Sequence, residues 1–184
     1  DSQREKQLLL IGTLEAGKST LFKQFNILAN GTAHEREVRM AQRDVVYSNI
    51  LITLKRIIQC AQSIDHKFGF SNCKNNSGEE THERLCNEAV AAIMSLSNDS
   101  LLNVSSRVYS PRFGKLISSL WRDASFKDFA LNSPHTSIFV ADGTLLLLND
   151  MEKIMTNGEY LPEMKHYLWS RVKSTGVIEW DSDS

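Results

Sequence analysis

The stretch Gly12-Thr13-Leu14-Glu15-Ala16-Gly17-Lys18-Ser19 constrains this chain more than any other. It fits G-x-x-x-x-G-K-[ST], a loop whose successive backbone N–H groups form a concave nest for an anion at a helix N-terminus. Its neighbours are the ones such a loop needs. Leu8 to Ile11 is a short continuous apolar run and predicts a buried strand of the parallel-sheet kind. From Gly17 to Leu28 the period changes: Leu21, Phe25 and Leu28 recur at helical spacing, Phe22 thickens the stripe, and Asn30-Gly31 ends it. In such a loop Lys18 supplies a point charge for the β- and γ-phosphates, and the Ser19 hydroxyl is a ligand for Mg²⁺. The alternative is a glycine-containing turn that happens to precede a lysine.

Beyond the loop and its helix, the chain is almost all helical. Val46, Ile50, Leu54, Ile57, Ala61 and Ile64 step by threes and fours, and no Gly or Pro interrupts the stretch from His34 to Ile64. Further helices are predicted over Thr81 to Leu96, Pro111 to Arg122 with Ser110 as cap, Ser125 to Leu131, Gly143 to Met155 and Pro162 to Ser170. Gly69 to Glu80 is polar and predicts an exposed loop, and Val172 to Trp180 turns β-like again. The organisation is therefore strand, loop and helix, then a long helical block, then the start of a second strand.

Charge and composition exclude several classes. The 21 Lys and Arg nearly balance the 22 Asp and Glu, giving a net charge of -1, which argues against a broadly basic nucleic-acid binder. No apolar run approaches the ~20 residues of a membrane span. Asp1 to Lys6 is charged and predicts no signal peptide. Cys60, Cys73 and Cys86 match no zinc-ribbon spacing and read as reduced cysteines in a cytosolic protein. The other reading is a metal site, with His82 and Cys86 at i, i+4 on one helix face and Cys73 joining them.

Several segments together resemble the heterotrimeric G-protein α subunits. They are Leu8-Leu9-Leu10-Ile11-Gly12, Glu15, Gly17-Lys18-Ser19-Thr20 and Phe22-Lys23-Gln24, then Ser119-Leu120-Trp121-Arg122-Asp123. Leu148-Asn149-Asp150, Tyr160-Leu161-Pro162 and the switch I-like Arg171-Val172-Lys173-Ser174-Thr175-Gly176-Val177-Ile178-Glu179 come next, in the family's order. The resemblance implies a mainly α chain: an inserted all-helical domain over residues 31–167, preceded over 1–30 by the first strand, P-loop and helix of a Ras-like α/β GTPase domain. Residues 168–184 would hold switch I and the start of the next strand. It also implies GTP or GDP with Mg²⁺, held by Gly12, Glu15, Ala16, Gly17, Lys18, Ser19 and Thr20. Ser19 and Ser174 would be the metal ligands, and Arg171 the family's arginine finger in cis, with Glu15 facing it across the nucleotide. Leu168 would lie on the ribose side, and Asp142 near an acid that faces the interdomain cleft. Without the resemblance, Arg171 reads as part of a solvated basic face with Lys165 and Lys173, and Asp142-Gly143 as a cap and turn.

The implied partners are the βγ dimer, a receptor and an effector, at the inner face of the plasma membrane, with peripheral membrane contact and no nucleic acid. Two departures stand out. Leu14 occupies a position that is Gly in the family, next to where the γ-phosphate would sit, and predicts weak hydrolysis. No Asp-x-x-Gly-Gln and no [NT]-Lys-x-Asp segment occurs in the chain, so by itself it is not expected to be a competent GTPase. Two other functions fit less of the sequence: another P-loop NTPase, and a non-enzymatic helical interaction module with a vestigial loop.

Overall fold

The apolar stripe that begins at Val46 organises most of the molecule. In a computed structural model of the chain, which describes residues 9–13, 16–30, 36–70, 81–97, 101, 110–136, 140, 142–157 and 159–171, it lies on one long helix. The chain divides into two units. The first comprises Asp1–His34 and Val172–Ser184, the second Glu35–Arg171.

Within the first unit, α1 runs from Lys18 to Asn30. The predicted buried strand is not formed. Leu9 to Thr13 is irregular, with Leu9 75% and Ile11 83% exposed, and no strand occurs among the described residues. A strand is a property of a pair, and this apolar run has no partner strand among the described residues. Leu28 on α1 is likewise 80% exposed.

The second unit is built on α2 (Arg36–Ser63). Val46, Tyr47, Ile50, Leu51, Leu54, Ile57, Ile58 and Ala61 are all buried, so the predicted stripe is the core seam. Ile64, just past the helix end, is the exception and is exposed. Against α2 pack α3 (His82–Ser95), α6 (Asp142–Asn149), α7 (Met151–Thr156) and α8 (Met164–Trp169). Helix α4 (Pro111–Arg122) lies between α3 and α7 and leads directly into α5 (Ala124–Asn132). Phe68 closes one end of the core, with Phe126 and Phe129 around its ring.

Local chemistry sets the helix boundaries. Thr81, Ser110 and Asp123 accept from the backbone N–H three residues on, capping α3, α4 and α5. Pro111 occupies the first turn of α4, where its missing N–H costs nothing. The single helix predicted over Gly143 to Met155 is instead two, α6 and α7, meeting at Asp150. Asp150 accepts from Lys165 Nζ at 2.5 Å and pairs with the His166 ring at 3.0 Å, so tertiary contacts hold the turn. The predicted loop at Gly69 to Glu80 and the β-like segment Val172 to Trp180 lie essentially outside the described residues, which include only Gly69 and Phe70 of them.

Candidate functional site

The loop that precedes α1 is described at residues 12, 13, 16 and 17, and its last glycine has the backbone its place demands. Gly17 sits at φ +79°, a left-handed conformation that a side chain would strain. It turns the chain into α1, whose first helical bond runs from Leu21 N–H to the Gly17 carbonyl at 2.9 Å. A helix does not consume the N–H groups of its own first turn, so those at Lys18, Ser19 and Thr20 are available to an anion. The Lys18 ammonium folds back over the loop and donates to the carbonyls of Gly12 at 2.7 Å and Thr13 at 2.5 Å. The Ala16 N–H closes the same turn on the Thr13 carbonyl at 3.3 Å. The Lys18 ammonium thus lies over the described part of the loop, beside the N-terminus of α1. Ser19 and Thr20 are exposed, leaving their hydroxyls open to a cation and its water. Lys23, one turn further on, is buried, and burial pulls its ammonium down to about 8.

A second group of expected residues lies in the other unit. Leu168 is half-buried in α8, and Arg171 comes after that helix with an exposed side chain. Asp142 is the first residue of α6. Its neighbour Gly143 packs against the end of α8 so closely that a Cβ would stand 2.8 Å from the Trp169 carbonyl oxygen. The start of α6 and the segment carrying Leu168 and Arg171 are therefore brought together. Gly12, Ala16, Gly17, Lys18, Ser19 and Thr20 belong to the first unit, and Asp142, Leu168 and Arg171 to the second. Leu14, Glu15 and Ser174 lie outside the described residues.

Two further residues position this second group, and the sequence did not single them out. Asn49 of α2 clamps the Arg171 backbone from both sides. Its Oδ1 accepts from the Arg171 N–H at 2.8 Å, and its Nδ2 donates to the Arg171 carbonyl at 2.9 Å. The same Nδ2 also donates to the Val45 carbonyl at 2.7 Å, which fixes the rotamer.

His166 is fully buried at the start of α8. Its Nδ1 accepts from the Glu163 N–H at 3.2 Å and meets the Tyr160 hydroxyl at 2.7 Å. A backbone N–H can only donate, so Nδ1 carries no proton and Nε2–H faces Asp150 at 3.0 Å. Burial lowers the His166 pKa, against the opposing pull of Asp150, which keeps the ring neutral near pH 7. Hydrogen bonds from Lys165 and His166 hold the Asp150 carboxyl below the ordinary range. No single residue type announces either arrangement. Asn49 meets a residue far along the chain, whereas His166 gathers Asp150, Tyr160 and Glu163 from the residues shortly before it.

The G-x-x-x-x-G-K-S motif of one unit and the large helical core of the other point to a class of P-loop proteins. The sequence matches the G-protein alpha subunit family over residues 1–183, and the chain belongs to that family. It is 28% identical over 175 residues to the guanine nucleotide-binding protein alpha-4 subunit of Caenorhabditis elegans, covering 95% of this chain and 44% of that relative. It is 27% identical over 176 residues to guanine nucleotide-binding protein subunit alpha-15 of Oryctolagus cuniculus, covering 96% of this chain and 41% of that relative. The chain thus spans less than half the length of these curated relatives. Among the described residues no helix is long and apolar enough to cross a membrane.

Proposed function

We propose that this chain supplies the phosphate-binding and helical parts of a guanine-nucleotide-dependent signalling switch. The observation that carries this reading is the family match over residues 1–183 together with the Lys18 ammonium held over its loop at the N-terminus of α1. Gly12, Glu15, Ala16, Gly17, Lys18, Ser19 and Thr20 bind the phosphates of GTP or GDP, and the family resemblance assigns Leu168 to the ribose and Asp142 to the neighbourhood of a helical-domain acid. The open first turn of α1 and the exposed Ser19 hydroxyl fit an anion with its Mg²⁺, and Ser19 and Ser174 are the metal ligands. The ion offsets phosphate charge. The protein's own part is positional. The loop fixes the phosphates by backbone N–H groups, and Lys18 places a point charge beside them. Asn49 holds the backbone of Arg171, whose guanidinium stabilises charge on the transferring phosphoryl group.

The first strand of a Ras-like sheet would form from Leu8 to Ile11 once partner strands are present, which accounts for apolar side chains that stand exposed here. The family resemblance gives such a switch a βγ dimer, a receptor and an effector as partners, at the inner face of the plasma membrane. Leu14 makes hydrolysis weak while sparing binding, because the nest that grips phosphate is made of backbone. Saturable, Mg²⁺-dependent binding of a non-hydrolysable GTP analogue by the full-length protein tests this reading. Lys18→Ala is expected to weaken that binding by at least about tenfold, through the loss of one charge-assisted contact. Unchanged affinity in that variant would contradict the assignment of the loop.

A further inference from the structure

His82 and Cys86 lie one turn apart on α3 and face the same point, and a third donor meets them there. It is Asp123, from the junction between α4 and α5. Cys86 Sγ is 3.5 Å from His82 Nε2, and Asp123 Oδ2 is 3.0 Å from the same nitrogen. All three donor atoms lie within 4.8 Å of one another. A tetrahedral zinc ion with bonds of 2.0–2.3 Å holds its ligands about 3.3–3.8 Å apart, so small side-chain rotations close the set around one ion.

The surroundings suit a closed, oriented site. Cys86 is fully buried and Asp123 nearly so. Asp123 is fixed by its other oxygen, which accepts from the Phe126 N–H at 3.0 Å as the cap of α5. That leaves one carboxylate oxygen aimed inward and its direction set by a helix terminus, the kind of outer support metal ligands receive. His82 retains 29% exposure of its side chain, which gives an ion a way in and a water a fourth position.

We propose that His82, Cys86 and Asp123 form a three-residue site for a zinc-class transition ion, a clip that ties α3 to the α4–α5 junction. The donor set decides the class. A thiolate and an imidazole select Zn²⁺ or its neighbours over Mg²⁺ and Ca²⁺, which need oxygen ligands. Loading replaces the Cys86 S–H bond by a metal–thiolate bond, and the proton leaves to solvent. The ion then replaces three links, the His82–Asp123 and Cys86–His82 contacts and the Cys86 S–H bond to the Ser119 carbonyl, by bonds that stabilise the folded helical unit. The site shares no residue with the loop at Lys18 or with the Asn49–Arg171 contact.

Titration of the reduced chain with Co²⁺, followed by absorbance, tests this. The expected result is a near-ultraviolet thiolate-to-cobalt band saturating at one equivalent, displaced by Zn²⁺, with a higher melting temperature in Zn²⁺ than in a chelator. Cys86→Ser and His82→Gln are expected to abolish the band, and Cys60→Ser to leave it. Asp123→Asn keeps a carbonyl oxygen for the α5 cap and is expected to weaken Co²⁺ more than about tenfold, so a ligand is tested without losing the helix. Circular dichroism on each variant shows whether the helices remain. The proposal is overturned if folded parent chain gives no thiolate band. It is equally overturned if the band survives His82→Gln or Asp123→Asn at full strength, or disappears with Cys60→Ser.

Discussion

At the level of single residues, the proposed function ties Leu14 and Arg171 to one property, the rate at which bound GTP would be turned over. Phosphoryl transfer depends on positioning and electrostatics, and a displacement of about 1 Å at the reacting centre costs on the order of 10²-fold. Leu14→Gly in the full-length protein is therefore expected to raise single-turnover hydrolysis by roughly 10- to 100-fold, with nucleotide affinity little changed. Comparable turnover in parent and variant would show that Leu14 does not limit the rate. The motif could be read because it is written locally, in Gly12, Gly17 and the lysine that follows. Asn49 was not. A polar side chain on a long helix looks like any solvated position until Arg171, far along the sequence, comes back to meet it. The same holds for Asp123, which closes a site with two residues of another helix.

Helices and their junctions carry the next set of consequences. The long helices were readable because their apolar period is internal to the segment, as the buried row from Val46 to Ala61 shows. The break at Asp150 was not, because it is held by Lys165 and His166 from α8. Nor was the missing strand at Leu9 to Ile11, since pairing is decided by another strand. The Asp150 junction predicts acid sensitivity. His166 has a folded pKa below its unfolded value of 6.5, so its contribution is fully present above pH 6.5. The contribution falls as pH drops from there towards the folded value, because the unfolded chain takes up a proton that the folded one does not. Asp150 and Glu163 also have lowered values, and theirs is lost further down, below the ordinary carboxylate range. Thermal melts of the helical unit between pH 7.5 and 5 are expected to show stability declining, with a slope from His166 of at most about 1.4 kcal/mol per pH unit. His166→Asn should be less stable at pH 7.5 and flatter across this window. An equally steep decline in that variant would assign the sensitivity elsewhere.

A second consequence at this level concerns the α4–α7 contact. A Cβ on Gly114 would lie 2.1 Å from the Met155 carbonyl oxygen, and the atom in the way is backbone. Gly114→Ala is expected to destabilise the unit by about 3 kcal/mol, the upper end for overpacking. Chemical denaturation reads this directly, and a change below about 0.5 kcal/mol would mean that the two helices separate easily.

At the scale of the whole molecule, the chain forms two units. One carries the phosphate loop, and the other has its own helical core and carries Arg171 at its end. Membership of the G-protein alpha subunit family was legible because its motifs run in order from Leu8 to Glu179, and the family match over residues 1–183 bears this out. The central claim is that these parts serve a guanine nucleotide. The most direct test is equilibrium competition between GTP and ATP for the full-length protein at equal Mg²⁺. A guanine-nucleotide switch predicts saturable binding with GTP strongly preferred over ATP. Equal affinity for the two, or a preference for ATP, would contradict it.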